Sequence, residues 1–508
     1  MGLESAKNTV IESIEKVAKT STDLEALAYA GASLVKLVDI DLSNIPNADA
    51  YKIGVAGNFG FGVASVFDEL LPAGFTKLTG HEDVAHSNYG NVIDEHGSVF
   101  VNIPPFHYKM TGNIISISDK ALAGYVLPRA FVDNPNGFLH FKYLAGNIGG
   151  KLVSKQFLDP LSTSSSHNPI GDLISAPANN YAGFIDACAS VGYKTTTIFE
   201  WNVLQLIALA QSQSGAGSAT CAFNDVAPYF PKGNNNNALA DVNDTSVLFT
   251  ESGYSNCALT GSANNIAKTT HNGQHSGISD VNGNMYKITT GLTYLAKTGA
   301  SCAEGDTAIV MPSHGLAVDD VIYFGGTLTS GSTYNTGAYT VESVTDANNF
   351  AVVEGLEREI LDTDGVYSPR YFRILKTSIN PNALTSENLL DSALYDLLDM
   401  TGIIDSNSGS AYFGNGDETV LNFSTDVNST KYRLASVGIP TAAGTNATGT
   451  TEFGNDRIYK YLRHGLVPLV GLDWDDAGTA GVFGVSLDNC SVYSSYNVGG
   501  FASVTLKK

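Results

Sequence analysis

The sequence predicts an α+β fold. Short stretches of alternating hydrophobic and polar residues, divided by Gly, Asn and Pro, run through most of the chain and read as strands. A central stretch around residues 178–211 carries helical spacing instead, with its own start and stop signals. Composition agrees with a sheet-rich, loop-rich molecule: 43% of the 508 residues are hydrophobic, enough for a sizeable core, and only 15% are charged. A chain of this length suggests roughly two to four domains.

The formal net charge is −22, and the longest basic run is Lys507-Lys508. Nucleic-acid binding needs a basic footprint, so no nucleic-acid partner is expected; the acidity reads as solubility and resistance to nonspecific adhesion. No stretch reaches the ~18 consecutive apolar residues of a membrane span, so no membrane insertion is expected. The start, "MGLESAKNTVIESIEKVAKT", lacks the apolar region of a secretory signal. The five cysteines, Cys188, Cys221, Cys257, Cys302 and Cys490, include no CxxC pair. Their wide spacing reads as buried thiols rather than a disulfide framework.

Taken in order, residues 3–19 read as a helix, with Val10, Ile14 and Val17 on one face, and Thr22-Asp23 caps a second apolar helix. This 1–50 region serves either attachment and oligomerisation or packing on its own domain. The glycines of "GVAGNFGFG" lack the G-x-G-x-x-G pattern and read as turns. Val99, Val101 and Ile103 alternate ahead of Pro104-Pro105, Ile115 and Ile117 follow, and "GFLHFKYLAG" is a further strand. Tyr181, Phe184, Ile185 and Cys188 form one helix face stopped by Gly192; Thr197 and Glu200 form a capping box for a second, deeply buried helix through Trp201, Leu204 and Ala208. Residues 212–270 are polar and read as a surface excursion, and a turn at Asn282-Gly283 opens a strand leading to Leu295. Residues 296–358 read as a small all-β insert of about five strands. "TSENLLDSALYDLLDM" reads as a helix lined by Leu390, Leu394 and Leu397-Leu398, capped by Thr385 or Ser386.

Three motifs in order then resemble a known family: Gly192, Tyr193, Glu200 and Trp201; Gly277, Ile278, Asp280, Asn282, Gly283 and Asn284; and Trp474, Ala480, Gly481, Phe483, Asn497, Gly499 and Phe501. Together they resemble the C-type-lectin-like fold of the formylglycine-generating-enzyme type, used by phage tail receptor-binding proteins and by retroelement-diversified variable proteins. The resemblance covers roughly residues 90–295 and 360–508. It implies one lectin-like domain in two parts, 51–295 (with an N-terminal β region) and 359–508, around the 296–358 insert. Lys287 stands where the family often has an acid, and the terminal segment reads "GGFAS" without the family's arginine. The first departure counts against the structural calcium some members hold at this turn, and no metal or cofactor is expected.

An enzyme is disfavoured. Copper-dependent members of the family use a cysteine pair near the C-terminus, whereas the corresponding segment here holds only Cys490. His271 and His275 have a helical metal spacing, but "HNGQHSG" is Gly-interrupted, which favours surface loop histidines. No G-x-S-x-G elbow is present. Asp473, Asp475 and Asp476 read as a solvated loop.

The chain closes on an unusual segment. Ten of the fifteen residues from Ser486 to Gly500 are Ser, Tyr, Asn or Gly, the composition of an antibody binding loop. Alternation would turn Phe483, Val485 and Leu487 inward and Val482, Gly484 and Ser486 outward, with Ala502, Val504 and Leu506 on a return strand. Such a hairpin would display Ser486, Asp488, Asn489, Ser491, Tyr493, Ser494, Tyr496 and Asn497, joined by Trp474, Asp475 and Asp476. Two roles stand for it: receptor recognition, or packing on an adjacent subunit, and Trp474 itself also suits a core. The resemblance implies a phage tail fibre or tail-tip protein in the virion, extracellular after host lysis. It would bind a host cell-surface receptor, protein or glycan. It would join other virion proteins through its N-terminal region, and would be a homotrimer by analogy. A head fibre or decoration protein is the alternative.

Overall fold

The computed structural model describes residues 40–41, 53–54, 56–111, 114–212, 244–249, 257–263, 266–404, 409–412, 426, 429–439 and 456–507. The two N-terminal helices and the 213–243 part of the polar tract, with Cys221, lie outside them. The described residues form a mixed α+β molecule dominated by sheet, with few helices.

The two longest helices start where the sequence supplies caps. Asn180 accepts a hydrogen bond from the Gly183 N–H and starts Tyr181–Ala189. Thr197 and Glu200 make the capping box of Ile198–Gln211, in which every residue is buried. Glu200 also pairs with Lys194 at 2.8 Å and accepts from Ser503 Oγ at 2.9 Å. One buried carboxylate thus joins the helix start to two neighbouring strands. Trp201 Nε1 and Gln205 Nε2, further along the helix, donate to the Val482 carbonyl at 2.9 and 3.1 Å. The helix therefore fixes the entry to the terminal segment.

The described residues form two large sheets. A six-stranded sheet contains Val99–Ile103, Phe138–Phe141 and Ala502–Thr505. A nine-stranded sheet contains Arg457–Lys460, Leu466–Val470 and Val485–Cys490, with Phe372–Leu375 and Tyr395–Leu398 at one edge and Gly409–Tyr412 at the other. Tyr286–Ile288 joins the chain's two parts within it, antiparallel to Leu466–Val470 and parallel to Val498–Gly500. A separate five-stranded sheet holds Ala308–Val310, Val321–Thr327, Tyr339–Asp346, Asn349–Val352 and Asp364–Tyr367, the last beyond residue 358. It abuts the nine-stranded sheet: Tyr334 stacks on Tyr461 at 5.5 Å, and the Gly331 N–H donates to the His464 carbonyl at 2.8 Å.

Several expectations are corrected. The segment after residue 385 is not a helix. Thr385 and Asn388 do bond reciprocally, but Asp391 caps a single 3-10 turn, Ser392–Leu394, and Tyr395–Leu398 then pairs with Phe372–Leu375. Burying Tyr395 and Leu398 in the sheet outweighs the helical leucine spacing. Within the polar tract, Thr260, Thr269 and Thr270 are buried, because their hydroxyls find carbonyls: Lys155 for Thr260, and the local Ile266 and Ala267 for Thr269 and Thr270. His271 is buried rather than at the surface; its Nδ1 accepts from the Ile278 N–H at 3.1 Å. His275 is exposed, and the segment is a loop. Cys188, Cys257, Cys302 and Cys490 are buried.

Candidate recognition surface

The terminal segment is not a hairpin. Val485–Cys490 pairs antiparallel with Leu466–Val470 and parallel with Arg457–Lys460, whereas Ala502–Thr505 pairs with Phe138–Phe141 and Lys194–Thr195 in the other sheet. The chain crosses from one sheet to the other between them. Val485–Cys490 is a central strand covered on both faces, so the in/out alternation does not hold: Val482 and Ser486 are as buried as Phe483, Val485 and Leu487. Asn489 and Ser491 are also buried, and Trp474 is a core residue. None of these five side chains is displayed.

The displayed part is the crossover. Val492, Ser494 and Tyr496 are exposed, with Tyr493 and Asn497 half-buried. Hydrogen bonds hold the crossover against two other loops. The Tyr181 and Ala182 N–H groups at the helix start donate to the Tyr493 and Ser491 carbonyls, both at 2.9 Å. The Thr163 carbonyl accepts from Ser494 Oγ at 2.6 Å, and Thr163 Oγ1 accepts from the Ser495 N–H at 2.9 Å. Ser491 and Ser330 hydroxyls meet at 3.1 Å, joining the crossover to the five-stranded insert.

Trp474 to Asp476 lie beside this loop but do a different job. Trp474 stacks on the Tyr496 ring, with centroids 6.0 Å apart and planes inclined by 23°. Asp475 is exposed, but the expected solvated acid loop is otherwise absent. Asp473 is buried; its Oδ2 accepts from Asn497 Nδ2 at 2.6 Å and its Oδ1 from the Asp475 N–H at 3.0 Å. Burial, then the Asp476 charge, push its carboxyl up to about 8. Asp476 pairs with Arg457 at 2.9 Å and accepts from the Tyr286 hydroxyl at 2.7 Å. Burial first, and these two acids next, hold the Tyr286 phenol far above its ordinary value.

Lys287 lies near these acids. It is fully buried, and its Nζ donates to the Gly283 and Leu472 carbonyls. Burial lowers its ammonium to about 7, while Asp280, Asp473 and Asp476 act in the opposite direction. Among the described residues no group of three or more His, Cys, Asp or Glu side chains is gathered as metal ligands. The cation in direct contact with these acids is Arg457, on Asp476, and Lys287 lies behind them.

The sequence reading missed a row on the neighbouring strand. In "RIYKYLR", Arg457, Tyr459, Tyr461 and Arg463 alternate with buried Ile458, Lys460 and Leu462. Their period of two was the available signal. Arg457 meets Asp476, Tyr459 lies level with Ser486, and Arg463 packs over the Tyr461 ring at 5.6 Å. Asp488, half-buried, accepts from Ser486 Oγ and, at 2.7 Å, from Asn489 Nδ2. Burial raises its carboxyl, against the Ser486 bond and the Arg463 charge. The crossover and this row together give a Tyr, Arg and Ser surface over a fixed sheet.

No protein-family model matches this chain, and no curated protein sequence does. The fold and site define an α+β protein in which a rigid sheet carries an aromatic and polar loop.

Proposed function

We propose that this chain is a non-enzymatic binding protein of a phage virion, a tail fibre or tail-tip protein that adsorbs to the host through a lectin-like domain. The observation carrying it is the crossover of Tyr493, Ser494 and Tyr496, which continues from a strand paired with the Arg457–Tyr459–Tyr461–Arg463 row, of which Tyr459 is exposed. Tyr and Arg are the side chains that dominate recognition energetics, because each offers a large contact area with a polar end. A backbone already fixed by hydrogen bonds loses less freedom on binding. The three motifs resembling phage receptor-binding proteins supply the virion setting. The partner is then a host cell-surface receptor, with assembly into the particle through the N-terminal region and as a trimer.

A second reading has its own support. Trp474, Ser486, Asn489 and Ser491 are buried, as in a scaffold, which favours a head fibre or decoration protein whose terminal segment only packs. Adsorption separates the two. The purified protein is expected to bind host cells and block infection, and replacing Tyr493 and Tyr496 together by Ala should abolish binding with the melting temperature little changed. A folded protein that never adsorbs, and that locates to the capsid shell, supports the scaffold instead.

A further inference from the structure

Away from the crossover, an open cleft of about 440 Å³ lies between the five-stranded insert and the edge of the nine-stranded sheet. Its described lining includes Lys297, Arg373 and His464 and no Asp or Glu, in a chain with net charge −22. Two cationic side chains and an imidazole therefore converge where no acid in the lining balances them.

Each is held in place without a carboxylate. Lys297 Nζ donates to the Ser313 and His314 carbonyls at 3.0 and 3.1 Å and lies 4.7 Å from the Tyr371 ring centre. An ammonium has three N–H donors, so one is left over. Arg373 stands on the Phe372–Leu375 strand, set by pairing with Thr293 and Leu397 on its two sides. Its Nε is buried and has no hydrogen-bond partner among the described residues; the same holds for His464 Nδ1. Burial lowers the Lys297 ammonium, and the Arg373 charge adds to the effect. Burial likewise lowers Arg373 and His464. Gathering like charges in a partly desolvated place is costly, and a bound anion would offset that cost.

The rest of the wall indicates what the anion is attached to. The volume exceeds that of a bare ion and suits a small ligand. Ser313, Ser392 and Thr298 offer hydroxyls, and Leu390 and Pro312 offer apolar faces. A planar guanidinium matches a carboxylate through two parallel hydrogen bonds. We propose that this cleft binds a hydroxylated carboxylate of monosaccharide size, a sugar acid, with Arg373 and Lys297 on the carboxylate and the hydroxyl and apolar walls on the ring. The proposal is independent of the crossover's role, since the cleft shares no residue with it.

Titration calorimetry of the full chain with sodium D-glucuronate, D-glucose and inorganic sulfate tests it. Saturable one-to-one binding of glucuronate is expected, with sulfate weaker and glucose silent. Arg373→Gln and Lys297→Gln should each weaken glucuronate by about tenfold or more, and Arg373→Lys by less, because it keeps the charge but loses the fork. If a variant fails to fold, a crystal structure of the wild-type protein with glucuronate decides, with the carboxylate expected at Arg373. Glucose or sulfate binding as tightly as glucuronate overturns the proposal. So does an undiminished affinity in folded Arg373→Gln, density elsewhere, or no saturable binding at all.

Discussion

Trp474–Asp476 and Ser491–Asn497 face each other at one end of the molecule and share a polar, aromatic composition, but they are built on opposite principles. The first is anchored by its side chains: Trp474 and Asp473 are buried, and Asp476 joins Arg457 and Tyr286. The second is anchored by its main chain, which accepts from the Tyr181 and Ala182 N–H groups, and by small polar side chains such as Ser494 on the Thr163 carbonyl, while Val492 and Tyr496 are exposed. A segment held by backbone hydrogen bonds can change its exposed side chains at little cost. A segment held by a buried acid pair and an indole cannot. Composition alone does not separate the two, because Tyr, Ser and Asn serve support and display equally well.

The sharpest way to break this contrast is Trp474→Ala. The indole is 2% exposed, and truncating a buried aromatic costs about 3–5 kcal/mol. Urea denaturation should show a loss of that order. A loss below about 1 kcal/mol, typical of surface positions, would mean that Trp474 supports nothing.

Asp473→Asn gives a smaller, pH-dependent effect. The ordinary carboxyl value is 3.8, and in the fold it is pushed up to about 8. Between those values the folded protein keeps a proton that the unfolded chain has lost. The group's contribution is therefore complete below the unfolded value and is lost as pH rises through the folded one. Asn keeps one of the two acceptors, for Asn497 or for the Asp475 N–H, and has no proton to release. Wild type and variant should melt close together near pH 4, and the variant should melt a few degrees higher above about pH 8. Lys142 and Lys287, lowered to about 7, act oppositely, gaining stability above that value. Lys142 is common to both proteins and cancels in the difference, whereas Lys287 feels the Asp473 charge, so the difference reads Asp473 together with its coupling to Lys287. A constant offset at every pH would place its proton elsewhere.

What the sequence revealed follows the range of the forces involved. Local devices were legible: the Thr197–Glu200 capping box, the Asn180-capped helix with its Tyr181, Phe184, Ile185 and Cys188 face, and the strand ending before Pro104. The α+β class followed from these. Sheet membership was not legible, because Val485–Cys490 pairs with strands just upstream, whereas Ala502–Thr505, a few residues later, pairs in another sheet with strands far away in the sequence. A strand buried on both faces carries no usable alternation, so Ser486 read as exposed. Asp473 and Asp476 read as solvated because nothing local shows that Arg457, Tyr286 and Lys287 fold around them. The Arg457–Arg463 row was legible by its period of two and was passed over in favour of the Tyr- and Ser-rich end.

The finest test is Tyr496→Ala. Its ring is 46% exposed and meets the protein chiefly through the stack on Trp474. Exposed stacking of this kind contributes at most about 1 kcal/mol, so the melting temperature should hardly move. Crossing it with Trp474→Ala sharpens the contrast. If Trp474 is a support and Tyr496 rests on it, the double variant should cost little more than Trp474→Ala alone, and the coupling should equal the small cost of Tyr496→Ala. If Tyr496→Ala instead costs as much as Trp474→Ala, the ring is part of the core's closure. The crossover would then hold the two sheets together rather than present its side chains.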